Sequence, residues 1–347
     1  MPDPIALRAE APASLELPPA HLELSWRSLT REDAEGLFVL IGAIEAADDV
    51  PARQSRDEVV EMLEGEWKDL ATDSLAGVDD SGAIQAYAMV EVLPGDTTTL
   101  RAFLRGGVHP QWRGRGIGPE LLRWQEGRGR QLLAESGKDL PARLAVYVDE
   151  PARDQRRLLA AAGFSPIRWY RTMRRDLSHP LPVVPDLPAG VRLEPWTAER
   201  DEAIRLAHND AFADHWGSQP QTAETWRHGP HFVPGWSLVA LADVPADDGG
   251  PAREEVVGYL VSGRYEQDWS VVGYTFGYVD LLGVRAHWRK KGVAVALLAT
   301  AMAAYAADGM EYAVLGVDTD NPTGAHGLYE RVGFTPTHAE VLDRVEI

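Results

Sequence analysis

The chain has 347 residues and 45% of them are apolar, which suits two globular domains of roughly 150–170 residues each. Its formal net charge of −19 disfavours nucleic acids and anionic membranes as partners, and it favours encounter with a cationic substrate such as an amine. The sequence contains no cysteine, which excludes disulfides, thiolate metal sites and a cysteinyl acyl intermediate. Neither a secretory signal nor a membrane-spanning apolar run is predicted, so we expect a cytoplasmic protein.

The first half begins with a proline-rich stretch, residues 1–20, that predicts an extended arm. Alternation over residues 22–29 predicts a strand, and Thr30 followed by acidic residues predicts a capped helix. The remaining pattern predicts these elements in order: a helix to about 48, a helical region over 55–69, a hairpin of 75–78 with 83–93, a strand over 100–108, a helix over 119–135, a strand over 144–148, a helix over 153–162 and a strand over 165–175.

The second half repeats this order after a linker, residues 178–190, whose prolines disfavour both helix and inner strand. The predicted elements are a strand over 191–196, a hairpin of 236–242 with 256–265, a strand over 278–284, a helix over 293–307, a strand over 312–317 and a helix over 321–332. We therefore expect an arm (1–20), an N-terminal domain (21–177), a linker (178–190) and a C-terminal domain (191–347). Each domain is predicted to be α/β, with a mixed, mostly antiparallel sheet flanked by helices.

A glycine-bearing basic turn occurs once in each half, between a predicted strand and a predicted helix. Both copies follow the pattern Val-x-x-x-Trp-Arg-x-x-Gly-x-(Gly/Ala). Free N–H groups at a helix start, the helix dipole and nearby cations together suit a pyrophosphate. The candidate phosphate-binding residues are Val108, Arg113, Gly114, Arg115, Gly116, Ile117 and Gly118 in the first copy. In the second copy they are Val284, Arg289, Lys290, Lys291, Gly292, Val293 and Ala294.

These turns resemble the acetyl-CoA-binding loop of the GCN5-related N-acetyltransferases (GNAT), whose pattern is (Arg/Gln)-x-x-Gly-x-(Gly/Ala). The resemblance covers nearly the whole chain as two tandem copies, and it is nearest to an actinobacterial group that includes mycothiol synthase. It implies coenzyme A, as acetyl-CoA, as the cofactor.

The repeat lets one half be compared with the other. Aligning the Gly-Phe pairs at 163–164 and 333–334 places Leu159 opposite Tyr329 and a proline opposite Asn321. Aligning the turns places Leu104 opposite Asp280. In the resembled family, a tyrosine on the last helix protonates the coenzyme A thiolate, and an asparagine at the start of that helix contacts the cofactor. The resemblance thus implies those roles for Tyr329 and Asn321, and the N-terminal half is expected to be degenerate.

Asp280 on the central strand is the candidate general base for an attacking amine. Tyr278 lies two residues earlier, and strand alternation predicts that it shares the face of Asp280. Backbone N–H groups of Leu282 and Val284 are expected to hold the developing oxyanion. The predicted catalytic residues are therefore Asp280, Tyr278 and Tyr329.

A helical segment after the first strand of the second half is expected to border the acceptor pocket, because the resembled fold places these helices there. Its candidate substrate-binding residues are His208, Phe212, His215 and Trp216. The histidine spacing is irregular and the chemistry needs no metal, so no metal site is expected.

The expected function is acetyl transfer from acetyl-CoA to a primary amine of a small molecule, by direct attack in a ternary complex, in a monomer or homodimer. One alternative is acetylation of a cysteinyl amine, as in mycothiol synthesis; against it, Tyr278 aligns with a catalytic Glu of mycothiol synthase. Another alternative is a non-catalytic, regulatory acyl-CoA-binding module. Acetylation of protein lysines also stays open.

Overall fold

The computed structural model describes residues 3–244, 252–320 and 324–347. The chain divides into two compact units: Met1–Trp169 with Glu340–Ile347, and Tyr170–Ala339. Both units are mixed sheets with flanking helices, as the sequence predicts, and each is described separately below.

Unit 1 is built around a sheet that is antiparallel except at one position. Its elements are α1 (Ile5–Arg8), β1 (Ser25–Arg27), α2 (Ala34–Asp48), α3 (Arg56–Met62), α4 (Leu70–Asp73), β2 (Ser74–Val78), β3 (Ile84–Val92), β4 (Leu100–Val108), α5 (Ile117–Glu135), β5 (Ala142–Asp149), α6 (Arg153–Ala161) and the end of β12 (Thr335–Glu346). Strands β1, β2, β3 and β4 pair in antiparallel order, β4 pairs with β5 in parallel, and residues 340–346 of β12 complete the sheet beside β5.

Unit 2 repeats that order of strands. Its elements are the end of β6 (Ser165–Asp176), β7 (Val191–Pro195), α7 (Asp201–Ala211), β8 (Leu238–Val244), β9 (Arg253–Gly263), α8 (Glu266–Val272), β10 (Phe276–Val284), α9 (Val293–Ala307), β11 (Tyr312–Asp318) and α10 (Ala325–Arg331). Strands β7 to β10 pair in antiparallel order, β10 pairs with β11 in parallel, and residues 170–176 of β6 pair with β11.

The helix that follows each glycine-bearing turn packs on its own sheet. In unit 1, Ile117, Leu121 and Trp124 of α5 are buried in the main core. In unit 2, Val293 and Leu297 of α9 are buried in the corresponding core. Burial of such a side chain stabilises the fold by about 1.5–3 kcal/mol. The packing fixes the start of each helix relative to the central strand of its sheet.

The structure differs from the sequence-based expectation in three places. The arm is not wholly extended, because α1 forms a helical turn and its Ile5 is buried against α5. The last strands are grouped differently from the expected domains: residues 340–347 belong to unit 1, and 170–177 to unit 2. Helix α8 was not predicted. Among the described residues, no helix is long and apolar enough to cross a membrane.

Candidate functional site

The glycine-bearing turn of unit 2 leads from β10 into α9. After a short 3₁₀ turn, Lys290 has a left-handed backbone with φ of 61°, and Gly292, the residue before α9, has φ of 86°. In the described part of the chain, no side chain caps α9. The N–H groups of its first turn are therefore available to an anion.

Two exposed cations flank these N–H groups. Lys290 and Lys291 are both exposed, and the Lys291 ammonium lies 4.9 Å from the ring centre of Trp288. Val293 is buried while Ala294 is half-buried, so the helix start is anchored on one side. Gly292 has little space for a side chain, since an added Cβ would lie 3.2 Å from Cγ of Pro185.

Arg289 does not point its guanidinium at the open turn. Its Nε donates to the carbonyl oxygen of Val284 at 3.2 Å, and both of its terminal nitrogens bind the Asp214 carboxylate. One of them also donates to the carbonyl oxygen of Ala211 at 2.6 Å. The bond from Arg289 lowers the pKa of Asp214, and Asp214 raises the pKa of Arg289. The side chain expected to contact the cofactor therefore holds the turn against the end of α7, leaving backbone groups for a phosphate.

Unit 1 builds the same turn. Gly114 and Gly116 have φ of 76° and 90°, matching Lys290 and Gly292. Arg113 donates from Nε to the carbonyl oxygen of Val108 at 3.1 Å and pairs with Asp48 at the end of α2. Arg115 lies over Trp112, as Lys291 lies over Trp288. Ile117 is buried and Gly118 is half-buried at the start of α5. The conformation of the turn is therefore common to both units.

Strand β10 parts from β11 midway along its length. Its parallel pairing ends at Val279 opposite Leu315, whereas β10 continues beside β9 to Val284. The Arg285 N–H donates to the carbonyl oxygen of Val257 on β9 at 3.0 Å. Because N–H directions alternate along an antiparallel strand, those of Leu282 and Val284 point away from β9, towards the opened side. These are the two donors expected from the sequence.

Asp280 occupies a β-bulge. Val279 is opposite Ser262 and Leu281 is opposite Val261, so Asp280 has no residue opposite it on β9. A bulge interrupts the alternation of side chains and re-aims the extra residue. Simple alternation therefore does not extend across the bulge. The side chains of Tyr278 and Asp280 still share a face, because a Cβ on Gly263, the residue opposite Tyr278, would lie 2.8 Å from Oδ2 of Asp280. Unit 1 has no such bulge, since Leu104 is directly opposite Val90 in a continuous register.

Tyr265, just after β9, contacts both Asp280 and Tyr278. Its hydroxyl donates to Oδ1 of Asp280 at 2.7 Å, and its ring lies 5.5 Å from that of Tyr278. The Tyr278 hydroxyl would lie 3.1 Å from a Cβ on Gly316. It therefore reaches over β11 just past the last residue of β11 that pairs with β10. All three side chains are half-buried. A carboxylate and two phenols are thus assembled where β10 and β11 separate.

Tyr329 lies on α10 and is 8% exposed, packed against Phe334 with ring centres 5.9 Å apart. Burial raises the pKa of its hydroxyl to about 12, so the phenol holds its proton at neutral pH. The aligned residue of unit 1, Leu159, is buried and has no proton to donate. Asn321 lies outside the described residues.

The acceptor-segment residues divide into two groups. His208 is buried between α7 and β9, where its Nδ1 lies 2.6 Å from the Tyr259 hydroxyl, and burial lowers its pKa to about 4. It therefore lies on the apolar face of α7, and its contact with a substrate stays a prediction. His215, by contrast, is half-buried, with Nε2 3.9 Å from Oδ2 of Asp318 at the end of β11.

Phe212 lies between these two histidines, with ring centres 4.6 Å from His208 and 5.5 Å from His215. Trp216 is half-buried, and its carbonyl oxygen lies 3.0 Å from Nδ1 of His215. The segment after α7, rather than α7 itself, therefore reaches the end of β11.

These features fit acetyl-CoA. The helix-start N–H groups and lysines suit the pyrophosphate, while the outward N–H groups of Leu282 and Val284 can bond an extended amide chain or a carbonyl oxygen. The sequence did not single out Tyr265, Gly263 or Asp318. Only the register of β9 against β10 reveals that Tyr265 reaches Asp280; Asp318 could have been suspected from its place at the carboxyl end of a strand beside β10.

Comparison with known proteins agrees with this geometry. A family profile described as "Acetyltransferase (GNAT) family" matches residues 202–334. A "Mycothiol acetyltransferase" of Streptomyces griseus subsp. griseus is 30% identical over 326 residues, covering 92% of this chain and 94% of that protein. A GCN5-related N-acetyltransferase from Sphaerobacter thermophilus superposes with a TM-score of 0.67 at 27% identity, covering 95% of this chain and 97% of that one. A tandem GNAT protein from the clavulanic acid biosynthesis pathway has the same fold, with a TM-score of 0.62 at 18% identity over 93% of this chain and 98% of that one.

Proposed function

This chain belongs to the GNAT acetyltransferase family and is an acetyl-CoA-dependent N-acetyltransferase acting on an amine, and we propose that unit 2 carries the chemistry on a primary amine of a small molecule. The observation that carries the proposal is the position of Asp280, on a bulge where β10 and β11 separate, in the unit that also has Tyr329. Unit 1 has leucines at both aligned positions.

Acetyl-CoA, when bound, supplies a thioester whose acyl carbon can be attacked by a neutral amine. The Asp280 carboxylate takes a proton from the amine nitrogen, directly or through a water, as the C–N bond forms. The N–H groups of Leu282 and Val284 stabilise negative charge on the carbonyl oxygen. Tyr329 donates its hydroxyl proton to the thiolate sulfur as the C–S bond breaks. All groups act in one ternary complex, and no residue is acylated.

The cofactor is proposed to lie along the open side of β10, with its pyrophosphate at the start of α9. Lys290, Lys291 and the N–H groups from Gly292 to Ala294 are the proposed phosphate ligands. Asn321 is proposed to contact the cofactor, as the resemblance implies. Unit 1 keeps the same turn, so it is proposed to retain a phosphate-binding site without catalysis.

A cysteinyl amine is the more specific candidate for the acceptor. The relative from Streptomyces griseus carries the name mycothiol acetyltransferase, and similarity to it extends through both halves. Against this acceptor, Tyr278 stands where mycothiol synthase, as aligned, has a catalytic Glu. Asp280, one pleat further along, is proposed to act in its place.

The test is coenzyme A release from acetyl-CoA over a panel of acceptors, namely cysteinyl-glucosaminyl-inositol, free amino sugars and a lysine-containing peptide. We expect turnover with a small-molecule amine and a large loss of kcat in Tyr329→Phe. Tyr312→Phe, which removes a half-buried phenol of the same unit away from the proposed site, is the matched control. Turnover restricted to the peptide would overturn the small-molecule acceptor, and binding of acetyl-CoA without turnover on any amine would favour a regulatory module.

A further inference from the structure

Tyr265 is the feature of unit 2 that neither the sequence pattern nor the comparisons assign. It stands between β9 and α8, and its hydroxyl donates a hydrogen bond of 2.7 Å to Oδ1 of Asp280. The pair spans the two strands at the bulge. Because Asp280 is the extra residue of the bulge, the direction of its side chain depends on such contacts rather than on the strand register.

The Tyr265 ring is itself held in place. It packs edge-on against Tyr278 and lies 4.7 Å from the ring of His231, which precedes β8. Gln267, in the first turn of α8, lies 3.3 Å from Nε2 of His231. Two aromatic neighbours and the start of a helix thus limit the positions that the hydroxyl can take.

Gly263 makes the approach of the two side chains possible. A Cβ at this position would lie 2.6 Å from Cε2 of Tyr265 and 2.8 Å from Oδ2 of Asp280. Gly263 pairs with Tyr278 on β10. In unit 1 the residue at that place is Val92, opposite Ala102. The space beside Gly263, the phenol of Tyr265 and the carboxylate of Asp280 therefore occur together in unit 2. None of the three has a counterpart at the matching place in unit 1.

We propose that Tyr265 is a positioning residue for the general base: its hydrogen bond orients the Asp280 carboxylate and stabilises its ionised form. A carboxylate that accepts a donated hydrogen bond stays ionised to lower pH than one that does not. An arriving amine then meets a proton acceptor of defined direction and charge. This inference rests on the proposed role of Asp280, and it assigns Tyr265 no contact with the reacting atoms.

The test compares the dependence of kcat/KM on pH in Tyr265→Phe and in the wild type. The variant keeps the ring and removes only the hydroxyl. We expect kcat to fall roughly tenfold and the acidic limb of the profile to move up by about one pH unit, with KM for acetyl-CoA unchanged. Tyr274→Phe is the matched control, since its ring packs on Phe276 and Tyr312.

Gly263→Ala provides a second approach in case Tyr265→Phe does not fold. Its methyl group must displace Tyr265 or Asp280, so we expect the same shift of the acidic limb with the hydroxyl intact. If folded Tyr265→Phe has the same pH profile as the wild type while Asp280→Asn is inactive, the role of Tyr265 is overturned and that of Asp280 is not. Full activity of Asp280→Asn would overturn the proposed base and this inference with it.

Discussion

The glycine-bearing turns of the two units have the same backbone conformation but adjoin strands with different side chains. Both place a left-handed residue two positions before a left-handed glycine. In both, an arginine holds the turn by pairing with an aspartate, which is the last residue of α2 in unit 1 and follows α7 in unit 2. The adjoining strands differ. Unit 2 has a bulge, a carboxylate and two phenols where unit 1 has a continuous ladder and Leu104.

In the proposed function, phosphate binding and acetyl transfer depend on separate parts of the fold. The turn uses backbone groups, so many sequences can keep it. The proposed chemistry needs a few side chains that must converge, and unit 1 has leucines at the positions aligned with Asp280 and Tyr329. Four predictions sharpen the comparison of the two units.

The largest effect is expected from giving unit 2 the residue of unit 1. Asp280→Leu should lower kcat/KM by about 10²–10⁴, because the amine loses its proton acceptor. Affinity for acetyl-CoA, measured by calorimetry, should stay close to that of the wild type. Leu104→Met, a volume-conserving change at the aligned site, is the control and should leave activity unchanged. Equal activity in the two variants would contradict the assignment of catalysis to unit 2.

A second effect concerns stability in acid. The pKa of His208 is lowered to about 4 by burial, so the folded chain keeps it neutral while the unfolded chain protonates it near 6.5. Its contribution to the free energy of unfolding is therefore complete above pH 6.5 and is lost as the pH falls towards 4. Between pH 7 and 5 we expect a loss of about 2 kcal/mol.

His208→Phe should remove that dependence, as measured by urea unfolding at several pH values, although the Tyr259 hydroxyl loses its partner at every pH. The residue of unit 1 that matches His208 is Gly42 on α2, because it precedes Asp48 by the same spacing as His208 precedes Asp214. Glycine does not titrate, so we expect no such pH dependence from unit 1. His287→Gln, at an exposed histidine of unit 2, is the control. An unchanged slope in His208→Phe would contradict the prediction.

The two turn glycines are expected to differ in their tolerance of a side chain. Both have positive φ, so alanine at either site should cost about 1–2 kcal/mol. Gly292→Ala should cost more than Gly116→Ala, since its Cβ would lie 3.2 Å from Pro185, whereas at Gly116 the nearest atom is 3.9 Å away. The two free energies of unfolding decide this, and equal costs would show that the Pro185 contact relaxes freely.

The smallest effect is expected from loosening the turn of unit 2. Arg289→Ala should raise KM for acetyl-CoA by roughly tenfold, since the turn loses the two charge-assisted bonds that hold it. Asp214→Ala should have a similar effect if Arg289 acts by holding the turn. If Arg289 instead bound phosphate directly, Asp214→Ala would leave KM unchanged or lower it. The pair Arg113→Ala and Asp48→Ala gives the matched control in unit 1, where no change in KM is expected.

Much of the fold could be predicted because its cues are local. The repeated order of strands and helices follows from hydrophobic period and from proline and glycine positions, and Ser55 and Thr30 begin helical segments through capping contacts with nearby acids. The arm was mispredicted because proline content says nothing of Ile5, whose burial against α5 stabilises a helical turn. The burial of His208 could not be predicted, because a polar residue on the buried face of a helix looks, in sequence, like one on the open face.

The two turns, the helices that follow them and the contrast between Tyr329 and Leu159 can be predicted from the amino-acid sequence, because each depends on residues that are neighbours in the chain. Other features become visible only in the folded chain: Asp280 stands on a bulge, Tyr265 reaches it, and Arg289 binds Asp214 instead of facing the open turn. The same is true of residues 340–346, which complete the sheet of unit 1 beside β5. Strand pairing uses backbone groups that every residue carries, so a sequence pattern shows where strands are but not which strands are neighbours.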